Sequence, residues 1–188
     1  MGGLWERSIQ SLKYHLRRTV GSNILTFEEL LTLLTQIEAI LNSRPITPVS
    51  NDATDLSCLT PGHFLVGAPL TSLPEPILQG LPESKMCRWQ RIQRLQQNFW
   101  DRWSKDYLHT LQQRTKWNKV SPNIQKGTLV LLKEDNTPPT SWCLGRIKEV
   151  FPGSDKLVRV VQVKTARGLI KRPIHKVVPL IDFQEDSI

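Results

Sequence analysis

Apolar residues recur along the first twenty positions at the spacing of a single helix face. Trp5, Ile9, Leu12, Leu16 and Val20 fall in one narrow stripe at about 100° per residue, which predicts an amphipathic helix from about Leu4 to Thr19. Gly21-Ser22-Asn23 ends it. A second helix opens on Thr26-Phe27-Glu28-Glu29, where the Thr hydroxyl and the Glu carboxylate can satisfy the unpaired amides of the first turn. Leu30, Leu33, Leu34, Ile37, Ile40 and Leu41 supply its apolar face, and it must stop by Arg44 because Pro45 disfavours helical geometry in the residue before it. A third helix, from about Ser84 to Gln113, carries Trp89, Ile92, Gln96, Phe99, Trp103 and Tyr107 on one side. Arg91, Arg94, Arg102 and Lys105 lie on the other.

From Lys126 onward the period shortens to that of strands. Runs at 128–133, 143–151, 157–165 and 168–173 are separated by Asn136-Thr137-Pro138-Pro139, Pro152-Gly153-Ser154-Asp155 and Ala166-Arg167-Gly168. Four or five short strands in so few residues predict a small antiparallel SH3-like β-barrel. The fold class is therefore α+β, two or three amphipathic helices followed by that barrel. Five segments result: helices over 1–45, a connection over 46–84 rich in proline, a basic amphipathic helix over 85–120, the barrel over 126–180 and an acidic tail over 181–188.

Composition narrows the class. With 39% apolar and 22% charged residues in 188, the chain falls among ordinary globular proteins and outside collagen-like or wholly disordered ones. Cys58, Cys87 and Cys143 lie far apart with no CxxC pair, which fits reduced thiols better than disulfides or a zinc site. No apolar run approaches the roughly 20 residues of a membrane span, and the N-terminus lacks a secretory pattern. These features imply a nuclear or cytoplasmic protein that is not secreted and does not use a membrane as partner. Charge is the informative excess. The chain carries +8, and residues 85–133 alone hold eleven Lys and Arg against two Asp, while 51–84 holds four acids and no base. A polyanion is the partner this implies.

Glu6 is the carboxylate most worth weighing. It sits in the first turn of the first helix, where the helix dipole favours negative charge, and Gln10, Lys13 and Arg17 share a stripe with it. One acid that could hold a divalent cation would thus precede cationic groups able to follow a phosphate backbone.

Motifs around these positions carry a family resemblance. Gly2-Gly3-Leu4-Trp5-Glu6-Arg7 and Leu41-Asn42-Ser43-Arg44-Pro45-Ile46-Thr47-Pro48 resemble the end of a retroviral-type integrase catalytic core. Thr60-Pro61-Gly62-His63-Phe64-Leu65-Val66-Gly67 and Phe99-Trp100-Asp101-Arg102-Trp103-Ser104-Lys105-Asp106-Tyr107-Leu108 are similar to the integrase region of Pao/BEL-type retrotransposon polyproteins. The resemblance implies a DDE integrase core in which two Asp and one Glu hold Mg2+, with Glu6 at the place of the Glu and Lys13 on a helix that contacts DNA. Only five residues precede Glu6 here, so the two Asp have no counterpart. One carboxylate cannot clamp two metal ions. The expectation is a nucleic-acid-binding C-terminal part of an integrase, catalytically incomplete and without cofactor of its own. DNA is its expected partner, held by Lys13, Arg17, Arg91, Arg94, Arg102, Lys105, Arg146, Lys148, Lys171 and Arg172.

A second reading makes the barrel a protein-interaction module for a chromatin tail or another integrase chain. It rests on Trp117 and Trp142, which flank the barrel and could line a peptide groove. Trp89 and Trp103, at helical core spacing, are expected to be buried.

Overall fold

The computed structural model describes residues 3–72, 75–112 and 123–180, and within them the chain is α+β. Helix α1 spans Gly3–Val20 and α2 spans Phe27–Asn42. The capping box forms as the sequence predicts: the Thr26 amide donates to Glu29 Oε2 at 2.8 Å and the Glu29 amide to Thr26 Oγ1 at 3.3 Å. Ser43 closes α2 just ahead of Pro45.

The connection is more ordered than its prolines suggest. Strands β1 (Thr47–Pro48) and β2 (Cys58–Leu59) pair antiparallel, and a short helix α3 (Pro61–Val66) follows. Thr60 starts α3 by donating its amide to His63 Nδ1 at 3.1 Å, with Pro61 in the first turn, where a missing N–H costs nothing. Gly67 ends it in the left-handed region at φ 76°. The chain therefore has four helices among the described residues rather than two or three.

After a 3₁₀ turn at Glu83–Lys85, helix α4 runs Arg88–Leu111. Strands β3 (Leu129–Leu132), β4 (Leu144–Pro152), β5 (Val158–Thr165) and β6 (Gly168–Pro173) form a meander; a 3₁₀ turn at Ile174–Lys176 then leads into β7 (Val177–Pro179). The five strands make one antiparallel sheet in the order β6-β5-β4-β3-β7. Among the described residues β6 and β7 stand at opposite edges without pairing, so the sheet is not closed into the barrel the sequence predicts.

Three apolar clusters hold these layers together. Leu33, Ile37 and Ile40 of α2 meet Ile92, Leu95, Phe99, Trp100 and Trp103 of α4, with Leu12, Leu16 and Val20 of α1 packed alongside. One face of the sheet buries Val130, Leu132, Ile147, Val161, Val163 and Val177. On the other, Leu129, Leu131, Val178 and Leu180 pack with Leu108 of α4. β3 is thus buried on both faces, which explains its unbroken apolar run.

Helix α1 is rotated from the predicted stripe. Ile9 is half exposed, whereas His15 and Thr19 are buried. His15 Nε2 lies 3.3 Å from Asp106 Oδ2, and its ring stands edge-on to Phe99. The Trp5 side chain, the end of the predicted third helix at 113–120 and the tail at 181–188 lie outside the described residues.

Candidate nucleic-acid interface

Helix α4 begins where the Cys87 amide donates to Gln90 Oε1 at 3.0 Å, and its 24 residues extend about 36 Å at 1.5 Å each. Two of its faces are buried. Ile92, Leu95, Phe99 and Trp103 meet α1 and α2; Gln97, Trp100, Ser104 and Leu108 meet the connection, the β3–β4 loop and the sheet. The stripe left to solvent holds the predicted cations together: Arg91, Arg102 and Lys105 are exposed, and Arg94 is half-buried. Arg94 Nη1 reaches the Leu81 carbonyl at 3.3 Å, and Lys105 Nζ lies 3.5 Å from Asp135 Oδ1. Such exposed pairs exchange readily for a phosphate, since each contributes little in water.

A fork fastens the start of this helix. Arg88 Nε and Nη2 donate to the Glu29 carboxylate at 2.6 and 3.0 Å. Arg88 first, then the Thr26 amide, hold the Glu29 carboxyl at about 2, well below the usual carboxylate range. The N-terminal end of α2 is thereby tied to that of α4.

The four cations predicted on the sheet separate. Arg146 is 5% exposed and points inward: its Nε donates to the Asp55 carbonyl at 2.6 Å, Nη1 to the Gly127 carbonyl at 2.8 Å and Nη2 to the Ser50 carbonyl. It clamps the acidic connection to the sheet and has no face to offer DNA, a correction to its predicted role. Arg172 is half-buried and paired with Glu134 at 3.1 Å. Lys148 is exposed at a β-bulge between Ile147 and Glu149, which leaves it without a partner on β5. Lys171 is exposed with its ammonium 4.7 Å above the Phe151 ring. Of the four, Lys148 and Lys171 are the most open to solvent.

On α1, Glu6, Gln10, Lys13 and Arg17 are all exposed and line one open groove, the shared face that their spacing predicts. No group of three His, Cys, Asp or Glu among the described residues could hold a metal ion. Glu6 supplies one carboxylate, and the residues described do not fit the Mg2+ pair of an integrase core.

The aromatic residues redistribute too. Trp103 is buried as expected, but Trp89 is 49% exposed against expectation. Trp142 packs edge-on against Trp100, Trp103 and Tyr107, and its Nε1 donates to Ser43 Oγ at 3.2 Å, joining helices to sheet rather than lining an open peptide groove. Trp117 lies outside the described residues. Trp100, which the sequence pattern does not single out, is among the largest fully buried side chains.

Thiol chemistry should sort by burial. Burial pushes the Cys58 thiol up to about 11, and burial followed by the nearby Glu134 raises Cys143. Both therefore hold a smaller thiolate fraction at pH 8 than an ordinary thiol, and a thiol is alkylated as its thiolate. Iodoacetamide at pH 8 should modify exposed Cys87 first and Cys58 most slowly, as peptide mapping over time would show; equal rates at all three would contradict this placement.

A family described as "Family of unknown function (DUF5641)" matches residues 87–180, from the residue that starts α4 to the one after β7. That is half of the chain, and the protein belongs to this family. No curated protein and no solved structure matches it. No helix of the described residues is long and apolar enough to cross a membrane.

Proposed function

We propose that this member of the family binds duplex DNA, independently of sequence, as the C-terminal region of a Pao/BEL-type integrase. The observation that carries the reading is the α4 stripe: Arg91, Arg94, Arg102 and Lys105 project from one solvent face of a helix whose other faces are buried. Helix and sheet packing thus present a row of charge on a rigid rod, which suits contact with a run of phosphates. Lys148 and Lys171 on the sheet, and Lys13 and Arg17 on α1, are further exposed cations that could meet phosphates.

The sheet supports the same context. A four-stranded meander, one 3₁₀ turn and a last short strand returning to the first support reading the sheet as an open relative of an SH3-like module. The alternative use of that module, as a peptide reader, loses its main support because Trp142 is committed to packing.

If about six cations meet phosphates, the logarithm of affinity should fall against that of salt with a slope near −5, or about 10³-fold between 50 and 200 mM. Fluorescence anisotropy with duplexes of unrelated sequence measures this. Equal affinity at the two salt concentrations, or strong preference for one sequence, would refute the proposal.

A further inference from the structure

Where α4 crosses the loop between β3 and β4, a cavity of about 270 Å³ joins an apolar floor to a cationic mouth. Trp100, Leu108 and Trp142 form the floor, and Lys105, Lys133 and Lys176 stand at the mouth. Glu134 and Asp135 also line the cavity, two carboxylates against three ammonium groups, so its lining stays net positive. Asp135 is shared, with Oδ1 3.5 Å from Lys105 Nζ and Oδ2 3.9 Å from Lys176 Nζ, and Glu134 is engaged by Arg172. Lys133 has no acidic partner among the described residues. Burial, then the charge of Lys176, holds its ammonium below the ordinary lysine range. An anion at this mouth would relieve that repulsion.

The wall is fixed in place. Thr140 sits at φ 64°, a region β-branched residues rarely adopt, and its hydroxyl accepts from the Ser72 amide at 2.9 Å. Trp100 Nε1 donates to Thr137 Oγ1 at 3.2 Å on the same loop. These two bonds tie the loop that carries the lining residues Thr137, Ser141 and Trp142 to Ser72 and to α4.

We infer that the cavity takes one nucleotide unit, its planar base in the apolar end that Leu108, Leu132 and Trp142 line over the buried Trp100, and its phosphate among Lys133, Lys176 and Lys105. The volume falls just under the roughly 300 Å³ at which sites begin to hold whole drug-sized molecules, which suits a single unit. An unpaired nucleotide at a DNA end and a free mononucleotide share this chemistry. The DNA-end source rests on the DNA-binding reading above, because Lys105 belongs both to the α4 stripe and to the mouth.

The test uses the full chain with four probes: a blunt duplex, the same duplex with a single-stranded overhang, deoxyadenosine monophosphate, and a short peptide with a free terminal carboxylate. Affinity is one readout, and the alkylation rate of Cys143, which lines the cavity, is the other. The overhang duplex should bind about tenfold more tightly than the blunt one and should slow Cys143 alkylation further. The Lys133→Met, Lys176→Met double variant should lose that advantage while binding blunt duplex as before. If blunt duplex binds with steep salt dependence but the overhang brings neither advantage nor protection, the inference is overturned and the DNA reading stands. If DNA fails to bind but the monophosphate protects Cys143, the DNA reading fails and the cavity holds a free nucleotide. Protection by a peptide's terminal carboxylate and by neither nucleotide probe overturns the inference.

Discussion

Reversing Arg91, Arg94, Arg102 and Lys105 together to Glu is expected to weaken binding to every duplex by about 10³-fold or more in 0.1 M salt. Each phosphate contact contributes about 0.9 to the log–log salt slope, so four lost contacts remove about 3.6 decades at that concentration, before repulsion from the new carboxylates is counted. The slope itself should flatten by about the same figure. The fold should survive, because the four side chains leave both buried faces of α4 untouched. The losses within the protein include a hydrogen bond from Arg94 to the Leu81 carbonyl and the pair of Lys105 with Asp135, both at the solvent-exposed surface, where each such contact is worth about 1 kcal/mol. Circular dichroism melting would check this alongside anisotropy. A folded quadruple variant that binds as tightly as the parent would move the DNA site off α4.

The sequence shows this stripe because charge and helical period coincide there. It shows the helix starts and stops for equally local reasons: Thr26 and Glu29 satisfy each other's amides, and Pro45 bars continuation. What it hides are contacts made by polar residues. Gln97 is buried because its Oε1 accepts from the Leu78 amide and its Nε2 donates to the Pro76 carbonyl, at 2.9 and 2.8 Å. That pairing gives α4 a second buried face, with Trp100 at its centre, which a search for apolar stripes does not find. The same blindness misplaces Trp89, which shares the angle of the apolar face yet lies in the first turn of α4 and stays half exposed. Strand β7 escapes notice at three residues, too short for alternation to register. On α1, His15 gains a buried place only through Asp106 and Phe99 of α4, which no local pattern encodes.

Arg146 is the sharpest case, and replacing it should damage stability rather than DNA binding. In the sequence it is one more cation in a basic strand; in the fold its guanidinium donates to the carbonyls of Asp55, Gly127 and Ser50. The segment it holds is the acidic one. Asp52 and Asp55 sit below the usual carboxylate range, chiefly through hydrogen bonds from Thr54 and Ser57 and secondarily through the charge of Arg146. Arg146→Met keeps much of the apolar stem but leaves three carbonyls without this donor, and charged hydrogen bonds contribute about 1.5–3 kcal/mol each before relaxation and water recover part of the loss. A net cost of about 3–5 kcal/mol is expected, which for a chain of this size lowers the melting temperature by roughly 10 °C. Arg146→Lys should rescue little, because a single ammonium cannot reproduce the planar fork. Below the melting transition, DNA affinity of both variants should stay within about twofold of the parent, whereas one lost phosphate contact would cost nearly tenfold at 0.1 M salt. A large loss of affinity in a variant that melts normally would return Arg146 to the DNA interface and contradict its buried position.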